Sequence, residues 1–167
     1  MKVQKHDFRF EHFEKHMPKI VDSTLLTLKG HLLAEGILDN IISFSCREPE
    51  ALNSIDLSFF IKVNLARALV GKKHENGFPL PDGIWPMLES FNELRNDLAH
   101  NLESKKLNKR IQKFIKSTGK TVPVDESESH VGEALGFSIR YLLGYLAAME
   151  YMIKTGEMPP DLTDDVL

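Results

Sequence analysis

The chain has 167 residues, 42% of them hydrophobic and 27% charged, with a formal net charge of −3. This length suits one domain around one core, and the composition is that of a globular chain rather than a disordered one. The net charge excludes a protein that coats nucleic acid through bulk charge, and a single cysteine, Cys46, excludes an intrachain disulfide and a cysteine metal cluster. The longest apolar stretch, Tyr141–Met149, ends at Glu150 and is too short to span a membrane. The N-terminal residues MKVQKHDFRF carry no apolar core after their basic positions, so no secretory signal and a cytoplasmic location without a membrane partner are expected.

The elements read as helices throughout, with no alternating β-branched run and no repeat. A short helix is predicted over Phe8–Met17, stopped by Pro18. A long one follows from about Lys19 to Phe44, with Leu25, Leu28, Leu32, Leu33, Gly36 and Ile37 as a broad apolar stripe that Leu38, Ile41 and Ile42 widen. Residues 45–53 form a polar connection containing Pro49. A third helix is predicted over Ser54–Val70, with Leu57, Phe60, Ile61, Leu65 and Ala68 inward and Gly71 as its stop. Gly77, Pro79, Pro81 and Gly83 mark a loop over Lys72–Gly83.

A fourth helix starts near Ile84–Pro86, proline being tolerated in a first turn, and runs through Met87, Leu88, Phe91, Leu94 and Leu98. Its path continues, bent or straight, into an amphipathic basic segment, Ser104–Ser117, whose apolar edge is Leu107, Ile111, Phe114 and Ile115. After a loop at Gly119–Glu128 comes the most apolar helix, Ser129–Thr155, with Leu135, Phe137, Ile139, Leu142, Leu143, Leu146 and Met149. Small residues at Gly132, Gly136, Gly144 and Ala148 suit close helix packing. The expectation is an all-α, antiparallel bundle of four to five helices: one domain over residues 1–157 and an acidic tail over 158–167.

Charge is unevenly placed. Between Asn101 and Thr121 stand seven basic residues and one acid, Glu103, whereas Glu157, Asp161, Asp164 and Asp165 make the C-terminal end acidic.

The sharpest chemical constellation is Leu94-Arg95-Asn96-Asp97-Leu98-Ala99-His100-Asn101. At about 100° per residue, Leu94 and Leu98 share the buried stripe with Phe91, Arg95 lies at its border, and Asn96 and His100 share the opposite side. Arg95 and His100 therefore converge only if the helix breaks near His100 or a second copy adds its own pair, as a C2 dimer would. Histidine is suited to act as base or acid toward a ribose 2′-hydroxyl, and arginine to hold the scissile phosphate, with no metal required.

Arg95-Asn96-Asp97-Leu98-Ala99-His100 resembles the Arg-x4–6-His signature of the HEPN superfamily, in which a polar residue, often Asn, follows the arginine. Gly30–Leu38 and Ile55–Val63 are similar in general texture to the mannitol operon repressor branch of helical proteins. The likeness covers residues 22–114 loosely and the six motif residues specifically. It implies a homodimer with a composite cleft and, in active members, a metal-independent endoribonuclease of toxin or defence type that needs no cofactor and has an antitoxin or regulatory partner. Arg95 and His100 would be its catalytic pair and Asn96 the residue orienting them. A subgroup carries tyrosine two residues after the histidine; Leu102 stands there in this chain, which argues against the partner system that modifies that tyrosine. The rival expectation is a non-catalytic transcriptional regulator or interaction module similar to the mannitol operon repressor.

Lys105, Lys106, Lys109, Arg110 and Lys113 begin five residues beyond His100 and are candidate contacts to an RNA backbone, or else the solvated face of an amphipathic helix. His12 and His16 are one turn apart without an evident third ligand, so they read as a surface pair and no metal site is expected. His31 and Glu35 are also one turn apart; either they bond each other, or Glu35 faces a cation such as Arg95 and supports it.

Overall fold

A computed structural model of the chain describes residues 22–71, 83–100, 104–119 and 128–159. The predicted helix at Phe8–Met17, with His12 and His16, and the acidic residues Asp161, Asp164 and Asp165 lie outside them. The described residues are all-helical: α1 (Ser23–Ser45), a 3-10 turn (Pro49–Leu52), α2 (Phe59–Val70), α3 (Ile84–His100), α4 (Ser104–Ser117) and α5 (Glu128–Thr155).

Local chemistry sets the ends. The Asp22 carboxylate accepts from the backbone N–H of Thr24 and Leu25 at 2.9 and 3.1 Å, so α1 starts at Ser23 rather than near Lys19. Its last turn closes with Cys46 N–H on Ile42 O, and Pro49 opens the 3-10 turn. Helix α2 begins five residues later than the sequence suggests. Ser58, not the earlier Ser54, is the cap, its Oγ accepting from Ile61 N–H at 3.4 Å. Gly71, at φ 68°, takes the left-handed turn after α2.

Helix α1 buries Leu26, Gly30, His31, Ala34, Ile37, Leu38, Ile41 and Ile42, and leaves Leu25, Leu28 and Leu32 exposed. The inward face is thus rotated from the one centred on those leucines. Gly30 explains the choice: a Cβ there would lie 2.5 Å from Ile139 Cγ2 and 3.2 Å from Phe91 Cζ. The absence of a side chain lets α5 and α3 close on α1. Helix α2 is rotated likewise, burying Phe59, Val63 and Ala66 and exposing Phe60 and Ile61.

Two helix pairs carry the architecture. Leu26 lies beside Gly136, Gly30 beside Ile139, Asn40 Nδ2 donates to Glu150 Oε1 at 3.1 Å, and the Lys154 ammonium stands 5.6 Å from the Phe44 ring centroid. Partner numbers rise together along both helices, so α1 and α5 run parallel. Helices α3 and α4 instead form an antiparallel hairpin, with the Phe91 and Phe114 rings stacked at 4.8 Å in its centre. Both pairs enclose one core containing Leu38, Ile41, Leu88, Leu94, Ile115, Leu142, Leu143 and Leu146. The Thr118 and Ser138 hydroxyls share a buried hydrogen bond at 3.0 Å, tying the end of α4 to α5.

Candidate functional site

Helix α3 buries Met87, Leu88, Phe91, Leu94 and Leu98 on one side and carries polar side chains on two others. Glu93 and Asp97, one turn apart, face α4. Arg110 bridges both: Nε donates to Asp97 Oδ2 and Nη1 to Glu93 Oε2, each at 2.7 Å. Lys113 also pairs with Glu93, and Lys106 approaches Asp97 at 3.9 Å. The hydrogen bond to Asp97, together with the charges of Glu93 and Asp97, lifts the Arg110 pKa above its already high ordinary value. The basic segment therefore does not extend onward from His100. It folds back along α3, and Arg110 and Lys113 serve the hairpin as its ionic seam. Lys109 is exposed and makes no ion pair among the described residues; the Lys105 side chain lies outside them.

The other polar side carries Asn92, Arg95 and Asn96. Arg95 is half-buried, and its Nη1 donates to Asn96 Oδ1 at 3.3 Å. Among the described residues no carboxylate pairs with it; the two nearest it in the sequence, Glu93 and Asp97, are held by α4. His100 is the last residue of α3, so Arg95 and His100 stand on one continuous helix. The His100 side chain itself lies outside the described residues.

Behind this face stands His31 of α1. It is 5% exposed, lies 4.0 Å from the Phe59 ring by centroid, and its Nε2–H donates to Asn92 Oδ1 at 3.4 Å. Burial lowers the His31 pKa, the Asn92 contact opposes that shift, and the nearby charge of Arg95 adds to it. The ring is accordingly neutral near pH 7.

Glu35 does not reach His31 or Arg95 as its cation. It pairs with Lys62 of α2 at 3.0 Å, and Asp39 holds the same ammonium at 2.9 Å. Burial works against the charge on Lys62, but the two carboxylates more than offset it and raise the pKa. Glu35 fastens α1 to α2 and is no direct support for Arg95. A cavity of about 380 Å³ opens beside this ion pair, lined by Asp39, Ile42, Glu50, Asn53, Asp56 and Lys62 among others. No predicted site residue lines it.

Asn92 is the neighbour that the motif alone overlooks, although its spacing, one turn before Asn96, is visible in Asn92-x-x-Arg95-Asn96. Among the described residues no group of three or more His, Cys, Asp or Glu is placed to hold a metal ion, and no helix is long and apolar enough to cross a membrane. The chain matches no protein-family model, no curated protein and no solved structure.

Proposed function

We propose that this chain is a metal-independent endoribonuclease of the HEPN type, a toxin or defence effector, acting through Arg95, Asn96 and His100. One observation carries the reading: Arg95 is held by a neutral amide while both carboxylates beside it, Glu93 and Asp97, are engaged by α4. A guanidinium without a carboxylate retains donors for a phosphate. On a single helix Arg95 and His100 diverge by about 140°, and two α3 faces set around one cleft supply the missing half.

The chemistry needs no cofactor. His100 takes the proton from a ribose 2′-hydroxyl, the 2′-oxygen attacks phosphorus, and the 5′-oxygen leaves with a proton from the partner's His100. The products are a 2′,3′-cyclic phosphate and a 5′-hydroxyl. Arg95, oriented by Asn96, faces the non-bridging oxygens as negative charge grows on them. Lys105 and Lys109 lie in the segment nearest the motif and would follow the RNA backbone. Lys106, Arg110 and Lys113 would do so only by leaving their carboxylates.

The test is RNA cleavage in EDTA by the purified chain. Wild type should cut and leave cyclic phosphate ends, and Arg95→Ala and His100→Ala should each lose about 100-fold or more. A second reading, a non-catalytic regulator or interaction module like the mannitol operon repressor, is favoured by the leucines and aromatics that α1 and α5 expose. Absence of cleavage, or equal cleavage by all three proteins, moves the assignment there.

A further inference from the structure

Asn92, Arg95 and Asn96 are spaced by three and four residues along α3 and so share one side of the helix. Both carboxamides use their oxygen on a neighbour. Asn92 Oδ1 faces inward to His31 Nε2 at 3.4 Å, and Asn96 Oδ1 accepts from Arg95 Nη1 at 3.3 Å. A carboxamide has an oxygen at one end and an amino group at the other. With both oxygens turned to these neighbours, both Nδ2 amino groups are turned away from them. Among the described residues neither Nδ2 meets an acceptor, nor do the remaining N–H groups of Arg95.

The orientation of Asn92 is set from behind. His31 is buried, and its ring is wedged between Phe59 at 4.0 Å and Phe91 at 5.9 Å by centroid, which fixes where Nε2 lies. Reversing the Asn92 amide would set Nδ2 against Nε2–H, two donors facing each other, and leave a buried N–H unsatisfied. Asn96 cannot reverse either, because a guanidinium only donates. The row therefore presents N–H groups outward and keeps its oxygens inward. Base edges mix donors and acceptors, and a carboxamide reads adenine by using both of its ends. A row of donors instead fits a group that only accepts, as phosphate oxygens do. The charges agree. Arg95 is positive, Glu35 is fastened to Lys62 at 3.0 Å, and Glu89, exposed one turn before Asn92, bonds none of the three.

We infer that Asn92, Arg95 and Asn96 form a phosphate-binding row in which Asn92 contacts the phosphate through Nδ2 and His31 is its positioning residue, so that a strand is held here by its backbone rather than read at a base. The inference rests on the nuclease reading only in taking the phosphate to belong to RNA. Asn96 gains a direct contact besides orienting Arg95. The buried imidazole acts through Asn92 and touches no substrate itself.

A heteronuclear NMR titration of the full chain with inorganic phosphate at constant ionic strength, beside one with adenosine, tests it. Phosphate should shift the side-chain amino signals of Asn92 and Asn96 and the Nε–H of Arg95, and adenosine should leave them unmoved. Asn92→Asp keeps the shape and the inward oxygen but replaces the amino group by an acceptor, so phosphate affinity should fall about tenfold or more. His31→Phe keeps a ring in place and removes the N–H, so affinity should fall about threefold or more, whereas His31→Gln retains a donor and should lose less. Signals that follow adenosine and ignore phosphate, or an affinity that Asn92→Asp leaves unchanged, would overturn the site. Equal affinity in His31→Phe and wild type would overturn the positioning role. RNA cleavage by a chain whose Asn92 signal ignores phosphate sinks this inference alone; phosphate binding without cleavage sinks the nuclease reading alone.

Discussion

The two polar sides of α3 are built from similar residues and end in opposite states. On the side facing α4, two carboxylates meet Arg110, Lys113 and Lys106, and each of Glu93 and Asp97 faces more than one cation. On the other side, one guanidinium donates to the Asn96 carboxamide, and the Asn92 carboxamide accepts from a buried, neutral imidazole. The first side is an electrostatic seam with its charges paired. The second holds a positive charge that nothing among the described residues neutralises, which is costly unless a ligand or solvent serves it. A helix that holds a hairpin with one side and offers a cation with the other can separate stability from activity, and substitutions should reveal that separation.

The largest expected effect on stability is at the seam. Asp97 is 17% exposed and receives Arg110 at 2.7 Å, between the regime of surface pairs and that of buried ones. Asp97→Ala should therefore cost about 1–2 kcal/mol in urea unfolding, much of it from leaving Arg110 under-bonded. Arg95→Ala should cost less than about 0.5 kcal/mol while abolishing the proposed cleavage. If Arg95→Ala destabilises as much as Asp97→Ala, the two sides are not different in kind, and Arg95 is a structural residue.

A smaller effect grades the seam itself. Glu93 is 42% exposed and shared between Arg110 and Lys113. Glu93→Gln should cost about 0.5 kcal/mol, and the loss should shrink in high salt. A larger, salt-insensitive loss at Glu93 would show that the hairpin depends on the exposed end of the seam and not on Asp97.

How far these two sides could be read in advance depends on what each needs. Helix ends are legible where glycine punctuates them, as at Gly71, whereas the caps Asp22 and Ser58 lie a few residues inside the starts that periodicity alone suggests near Lys19 and Ser54. Ser54 and Ser58 are equivalent as letters, and only the path through the Pro49–Leu52 turn makes the second the cap. Inward faces were less legible. Apolar residues surround α1, so periodicity alone does not choose a side, and what chooses is the gap at Gly30 into which Ile139 fits. Expecting Leu25, Leu28 and Leu32 inside misses the fact that a helix can lie against its neighbours through its smallest residue.

The candidate site divides the same way. Arg95, Asn96 and His100 share one helix and were visible as a local string. The partners of Glu93 and Asp97 were hidden because they depend on the chain reversing between α3 and α4, which brings Lys113 to Glu93 and Arg110 to Asp97. One-turn spacing points Glu35 to His31, and the need of a carboxylate for a cation points it to Arg95; its actual partner, Lys62, lies 27 residues along the chain on a helix whose rotation periodicity does not fix. Local chemistry is legible wherever one helix carries it, and ion pairs between helices require the packing first.

The smallest effect concerns the imidazole behind the Arg95 side. Burial chiefly, and the charge of Arg95 in addition, hold the His31 pKa below its ordinary 6.5. Folded His31 thus binds a proton less readily than unfolded His31, and between the two values the unfolded chain carries more protons. The contribution is fully present above about pH 6.5 and is lost as pH falls through the depressed folded value, so stability declines on acidification in that window. His31→Gln retains an N–H donor for Asn92 and does not titrate. Unfolding curves of the two proteins should converge toward low pH and separate above pH 6.5 if the ring's neutrality is what the fold uses. Arg95→Ala should make the wild-type slope shallower, because it removes a neighbouring positive charge and brings the folded pKa closer to the unfolded one. An NMR titration of the His31 ring reads the same shift directly. If Arg95→Ala leaves that titration unmoved, the guanidinium is not directed toward the buried ring, and the polar side of α3 is a set of separate residues rather than one connected site.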